Sequence, residues 1–237
     1  MKTEGRNAVS ELLKTDKNIE KIMIEKDVQG SLKSIFAEAR KRGVRVQFVE
    51  RRALDKLSAE KRHQGVIAFT SDFNYSTLDD VISSKTENGF IILCDGIEDV
   101  HNLGSIIRVA ECAGADGVVI PANNSASVTE AVVRISAGAA NHIKVAKVNS
   151  LNRAVDELKK RNYWLYALEA DGTSIYDADL TGNIAIVVGG EDSGVKRLTR
   201  EKCDFTLSIP LKGKVNSLNA SVALGIAAYE AVRKRNV

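Results

Sequence analysis

The chain reads as an α/β protein: a parallel sheet flanked by helices, preceded by a small α/β domain. Three observations predict this. From Phe90 onward, short apolar runs alternate with segments of helical periodicity, the signature of repeated β-α units. Several of those runs end in glycine or polar residues, where α/β folds place ligand sites. Residues 1–72 show their own alternation of strand and helix patterns, which implies a separate layered domain.

In that first part, residues 7–14 suit a short helix with Val9, Leu12 and Leu13 on one face, and Ile19–Ile24 alternates as a strand. Residues 31–42 are helical, with Leu32, Ile35, Phe36 and Ala39 at helical spacing and Gly43 as the stop. Val44, Val46 and Phe48 mark one face of a second strand, residues 51–57 suit a short helix, and residues 66–69 suit a third strand. Residues 73–87 turn polar around a short Leu78–Ile82 helix pattern and are read as a linker. The expected division is therefore 1–72, a linker at 73–87, and a domain at 88–237.

The second domain is expected to carry strands at 90–94, 118–120, 143–148, 164–168, 184–188 and 205–209. Helices are expected at 104–113, 130–136, 151–161, 196–202 and 221–235. The last ends in Arg233, Lys234 and Arg235, which suits the negative end of the helix dipole. Near-continuous apolar strands flanked by helices point to a parallel sheet. No internal repeat or low-complexity tract is visible, and aromatics at 5% predict no stacking platform for single strands.

Composition narrows the function. No apolar run nears the ~20 residues of a membrane span, and the start lacks an apolar signal core. A cytoplasmic protein is expected. Cys94, Cys112 and Cys203 are sparse and lack metal or disulfide spacing, so buried free thiols and no metal are expected. Residues 1–72 hold 16 Lys and Arg against 11 Asp and Glu, a net +5; the rest hold 18 against 20, a net −2. That asymmetry suits contact with a polyanion through the first domain, as it suits a solvated surface. Nucleotide fingerprints are missing. The Phe90–Cys94 run is followed by Asp95-Gly96-Ile97-Glu98-Asp99, not by G-x-G-x-x-G, and no P-loop is present.

Three segments carry candidate chemistry. Asn102-Leu103-Gly104-Ser105-Ile106-Ile107-Arg108 holds an amide and a guanidinium six residues apart. Taken singly, Asn102 suits a helix N-cap and Arg108 a helix surface. Gly189-Gly190-Glu191-Asp192-Ser193-Gly194 follows a buried strand, and its paired glycines suit close approach of a ligand to backbone. Ile209-Pro210-Leu211 ends another strand, and Lys212-Gly213-Lys214 forms a basic loop before Ser217, Leu218 and Asn219. Either Ser217 or Asn219 suits a cap on the final helix.

In this order the three segments resemble the SpoU branch of the SPOUT methyltransferases over residues 88–237. The resemblance implies transfer of a methyl group from S-adenosylmethionine to an RNA ribose, and a C-terminal trefoil knot that periodicity does not show. It implies that Gly189, Gly190, Ile209, Leu211 and Leu218 hold the cofactor. It places Asn102, Arg108, Glu191, Ser217 and Asn219 around the reacting ribose. A guanidinium is a poor base near neutrality, so electrostatic stabilisation is the preferred role for Arg108. Gly5-Arg6-Asn7 and His63-Gln64-Gly65 resemble the subgroup with a ribosomal-protein-like RNA-binding domain, whose best-known member methylates a guanosine in 23S ribosomal RNA. RNA contacts are then expected from Arg6, Arg51, Arg52, Lys61 and Arg62, and a homodimer through the catalytic domain. The competing expectations are a transfer RNA substrate, a non-catalytic RNA-binding protein on the same scaffold, and a small-molecule α/β enzyme.

Overall fold

A computed structural model describes residues 2–15, 18–26, 30–58, 61–70, 73–85, 87–190 and 193–235. It divides into two compact units, Met1–Asn74 and Tyr75–Val237.

The first unit is a four-stranded sheet in the order β1 (Lys2–Glu4), β4 (Val66–Thr70), β2 (Ile19–Glu25), β3 (Val46–Val49). β4 runs antiparallel to both neighbours, and β3 runs parallel to β2. Alternation sorts the side chains. Ile22, Ile24, Val66 and Ala68 pack with Val9 and Leu12 of α1 (Arg6–Leu12) and with Leu32, Ile35 and Ala39 of α2 (Ser31–Lys41). Met23 and Ile67 pack with Leu54 of α3 (Arg51–Leu57) in a second cluster. β1 has no sequence signal: three residues, two of them charged, are too short for alternation, and the strand exists because β4 offers it an edge.

The second unit is built on seven parallel strands in the order β7-β6-β5-β10-β8-β11-β9. These are β5 (Phe90–Asp95), β6 (Gly117–Pro121), β7 (Lys144–Val148), β8 (Trp164–Glu169), β9 (Thr173–Ser174), β10 (Ile184–Gly189) and β11 (Phe205–Ser208). β5 and β10 are central neighbours buried along their whole length, which explains their unbroken apolar sequences. Ile91, Leu93, Ala185 and Val187 face Val155 and Leu158 of α7 (Leu151–Lys160). No residue of α5 (Val100–Cys112), α6 (Glu130–Ile135) or α9 (Ala220–Arg235) enters that cluster; α5 packs against α6 and α9 instead. α8 (Arg197–Lys202) packs beside α7.

Two expectations change. Residues 73–87 do not all stand apart as a linker. They include α4 (Leu78–Ile82), whose Val81 is fully buried in the core of the second unit, where a Cβ on Gly117 would lie 2.7 Å from it. The thiols are not all buried either. Burial pushes Cys94 and Cys203 up to about 12, but Cys112 ends α5 exposed.

Candidate active site

Strands β5, β8, β10 and β11 all point their carboxyl ends at one edge of the sheet, and the three candidate segments leave from there. Asp99 caps α5: its Oδ1 accepts from the amides of His101 at 2.8 Å and Asn102 at 2.9 Å. The helix therefore starts before the expected Gly104, and Asn102 sits inside its first turn and is not the cap. Asn102 is buried, and its Oδ1 accepts a 2.8 Å hydrogen bond from Asn219 Nδ2, 117 residues away. Arg108 is exposed and makes no hydrogen bond or ion pair among the described residues.

Asn219 does two jobs. Its Oδ1 accepts from the amides of Ser221 at 3.0 Å and Val222 at 3.4 Å, capping α9. Its amide nitrogen ties that helix start to the first segment. Of the two residues that suit a cap, Asn219 is the one that serves.

The glycine segment is explained differently from the sequence reading. Gly189 extends β10 opposite Asp95, and the chain then doubles back through Gly194 N–H to Gly190 O at 2.9 Å. A Cβ on Gly189 would lie 1.9 Å from the backbone of Gly194. The loop's own return therefore demands glycine before any ligand does. Glu191 lies outside the described residues.

The sequence reading missed Asp95. It is buried, and its backbone oxygen accepts from Gly190 N–H at 3.2 Å. Its side chain accepts from Lys196 N–H at 3.0 Å and pairs with Lys196 Nζ at 3.3 Å. One residue thus holds both ends of the loop that carries Glu191. Its only sequence signal is a carboxylate ending an apolar strand.

Beside these contacts lies a cleft partly open to solvent. Leu168, Glu169 and Ala170 from the end of β8 form one wall, and Val188, Gly189, Gly190 and Gly194 another. Ile209, Leu211, Asn216, Ser217, Leu218, Ala220 and Ala223 complete it. All five residues expected to hold cofactor line this cleft, with Ser217. Asn219 lies between two lining residues, whereas Arg108 is not part of the lining. The apolar walls suit a purine.

In the first unit the structure spreads the five expected RNA contacts over different situations. Arg6 Nε donates to Gln64 O at 2.9 Å, and Arg6 N–H to Gln64 Oε1 at 3.1 Å, so Arg6 holds the 61–65 turn. Arg51 pairs with Glu25 at 3.1 Å. Arg52, Lys61 and Arg62 are exposed. Among the described residues no His, Cys, Asp or Glu cluster suits a metal, and no helix is long and apolar enough to cross a membrane.

Residues 89–229 match the SpoU rRNA Methylase family, and residues 3–76 match the RNA 2'-O ribose methyltransferase substrate binding family. The chain belongs to the SpoU family of RNA methyltransferases. It is 42% identical over 238 residues to YacO of Bacillus subtilis (strain 168), named as a TrmH family tRNA/rRNA methyltransferase, covering 98% of this chain and 95% of that one. A relative so named from Staphylococcus haemolyticus (strain JCSC1435) is 41% identical, with the same coverage. Among solved structures, the SpoU methyltransferase AviRb from Streptomyces viridochromogenes, in complex with AdoMet, superposes with a TM-score of 0.64 at 24% identity, covering 99% of this chain and 90% of that one. That likeness is one of fold.

Proposed function

We propose that this SpoU enzyme methylates a ribose 2'-hydroxyl of structured RNA, with S-adenosylmethionine in the cleft and a guanosine of 23S ribosomal RNA as substrate. The observation that carries the reading is the convergence of the three segments. The Asn219–Asn102 bond joins the third to the first, beside a cleft walled by the second and third. The relatives' names span transfer and ribosomal RNA; the ribosomal reading rests on the Gly5-Arg6 and His63-Gln64-Gly65 segments. Ribose methylation mapped across total RNA, with and without the protein, tests it. A missing mark in 23S RNA supports the reading, and a missing mark in a transfer RNA replaces the substrate. No missing mark, with no methyl transfer in vitro, favours a non-catalytic RNA-binding role.

Bound cofactor supplies an electrophilic methyl carbon on a positively charged sulfur. Gly189, Gly190, Ile209, Leu211 and Leu218 would hold it, and it would offer that methyl group to the ribose oxygen. Arg108, with no partner among the described residues, stabilises negative charge developing on that oxygen and grips a neighbouring phosphate. Asn102 and Asn219 lock the two segments at that point, Ser217 lines the cleft beside them, and Glu191 completes the set.

The same reading places the protein in the cytoplasm and includes the family's C-terminal knot. It divides the labour between an RNA-binding part, residues 1–74, and a catalytic part starting at Tyr75. It also includes a homodimer. Leu224, Ala227 and Ala228 of α9 are buried in their own unit. Val222, at 50% exposure, and Tyr229, at 53%, share with Ile226 one stripe left for a second copy. Light scattering that gave 25.7 kDa at micromolar concentration would reject the dimer.

A further inference from the structure

The cleft is chemically one-sided. Among the described residues its lining is aliphatic or glycine apart from Asn216 and Ser217, which are neutral, and Glu169, the one ionisable residue among them. Glu169 ends β8, and its carboxylate accepts from Val195 N–H. Gly194, at φ +60°, lies directly against it: a Cβ there would stand 2.7 Å from both carboxylate oxygens. Gly194 and Val195 thus pack against this carboxylate. Among the described residues Glu169 joins no ion pair. Arg200 is bonded to Asp171 at 2.9 Å and feels Glu169 only as a longer-range attraction.

We propose that Glu169 makes the cleft prefer the charged cofactor to its spent product. This rests on the reading that the cleft holds S-adenosylmethionine. That molecule carries a sulfonium, an ammonium and a carboxylate, one net positive charge. Once the methyl group has left, the sulfur is a neutral thioether and the net charge is zero. Purine, ribose and amino-acid ends are common to both, so contacts with them do not discriminate. A fixed negative charge between low-dielectric walls does. For charges ~8 Å apart, at an effective dielectric between that of a protein surface and water, the preference is roughly three- to thirtyfold. The consequence is exchange: after each turnover the cleft holds product less well than the incoming cofactor, and product inhibition is relieved.

The test is titration of the full chain with S-adenosylmethionine, S-adenosylhomocysteine and sinefungin, which bears a protonated amine in place of the methylsulfonium. Glu169→Gln keeps the volume and an oxygen for Val195 N–H. It should weaken the two charged ligands by roughly three- to thirtyfold and leave S-adenosylhomocysteine within about twofold. An equal loss for all three, as contact with the ribose hydroxyls or the ammonium would give, overturns the proposal; so does no loss. Arg200→Gln, a surface change, reads the same charge from the other side. Removing that cation should raise the preference for the charged ligands, and an unchanged ratio counts against the proposal. Ala223→Trp fills the cleft and checks the underlying reading separately. If that folded variant binds all three ligands as wild type does, the cofactor lies elsewhere and the site assignment itself falls.

Discussion

Two arginines on helices that flank the parallel sheet of the second unit are used in opposite ways. At the amino edge, Arg235 of α9 spends its guanidinium on carbonyls: Leu180 at 3.2 Å, Asn88 at 3.3 Å, Gly89 at 2.9 Å and Gly182 at 2.6 Å. It also lies 5.1 Å over the Phe90 ring, and burial holds its pKa below the usual arginine value. On α5, which leaves the carboxyl edge and runs back along the sheet, Arg108 is exposed with no partner among the described residues. Arg235 consumes its donors in holding the fold; under the proposed function Arg108 keeps its donors for the substrate. The backbone follows the same division. The amino edge is closed by short bonds such as Gly89 N–H to Asn183 Oδ1 at 2.7 Å, while residues 210–219 at the carboxyl edge are exposed and without regular structure.

The sharpest way to break this comparison is to exchange the two losses. Arg108→Ala should cost about 3–4 kcal/mol of transition-state stabilisation, a fall of roughly two to three orders of magnitude in kcat. Its melting temperature and cofactor affinity should stay near wild type. Arg108→Lys should recover little, because a point charge lacks the planar fork. Near wild-type turnover in Arg108→Ala would remove the residue from the chemistry. Arg235→Ala should do the reverse. It leaves several carbonyls without their charged donor and should cost about 2–3 kcal/mol of stability in denaturant unfolding, with kcat of the folded fraction kept. If Arg235→Ala lost activity without losing stability, the two edges would not be functionally separate.

A third variant probes the flaw in the closed edge. Tyr163 packs against Gly89, and its buried hydroxyl has no hydrogen-bond partner among the described residues. Burial, helped by Asp116, pushes that hydroxyl up to about 12. Tyr163→Phe removes an unsatisfied group and should be neutral or stabilise by about 1 kcal/mol. A loss of ~2 kcal/mol or more in unfolding would mean that the hydroxyl has a partner.

Whether the open edge works alone is a question for truncation. A chain starting at Tyr75 keeps α4, whereas one starting at Asn88 loses Val81 from the core, at a cost of about 1.5–3 kcal/mol. The Tyr75 chain should bind cofactor but lose most RNA affinity. The salt slope of RNA binding should fall by about 0.7–0.9 per lost phosphate contact. An unchanged Michaelis constant for RNA would place recognition in the catalytic unit.

Most elements were legible because their apolar residues repeat at the right period: β5 and β10 as unbroken runs, α2 and α7 as amphipathic stripes. β1 and the two-residue β9 were not, being too short for any period and formed only by pairing with a neighbour. At the site, Asn102 and Asn219 could be picked out as linear motifs, but the bond joining them could not. Asp95 and Glu169 were missed for the same reason. Their partners Lys196 and Val195 lie 101 and 26 residues away, and no local pattern encodes such a contact. The start of α5 was misplaced because Asp99 caps a turn with no apolar stripe to announce it.

The smallest expected effect lies in the first unit, in a closed network of the Arg235 kind. His63 is fully buried, and Gly65 N–H donates to its Nδ1 at 3.0 Å, which leaves the ring proton on Nε2. That proton faces Asp55 Oδ1 at 3.0 Å. The hydrogen bond from His63 holds the Asp55 carboxyl below its ordinary value. A carboxylate depressed on folding stabilises the native state above its unfolded pKa, and that stability is lost as pH falls through the folded pKa. The first unit should therefore lose stability on the acid side of the normal aspartate range, not near neutrality. Asp55→Asn should flatten that acid limb and leave stability near pH 7 only slightly lower, because Asp55 is solvent-accessible and its charge is screened. Thermal melts of the full chain across the acid range, followed by a probe in the first unit, measure it. If wild type and Asp55→Asn lose stability in parallel as pH falls, the His63–Asp55 pair does not set the acid limit of this domain.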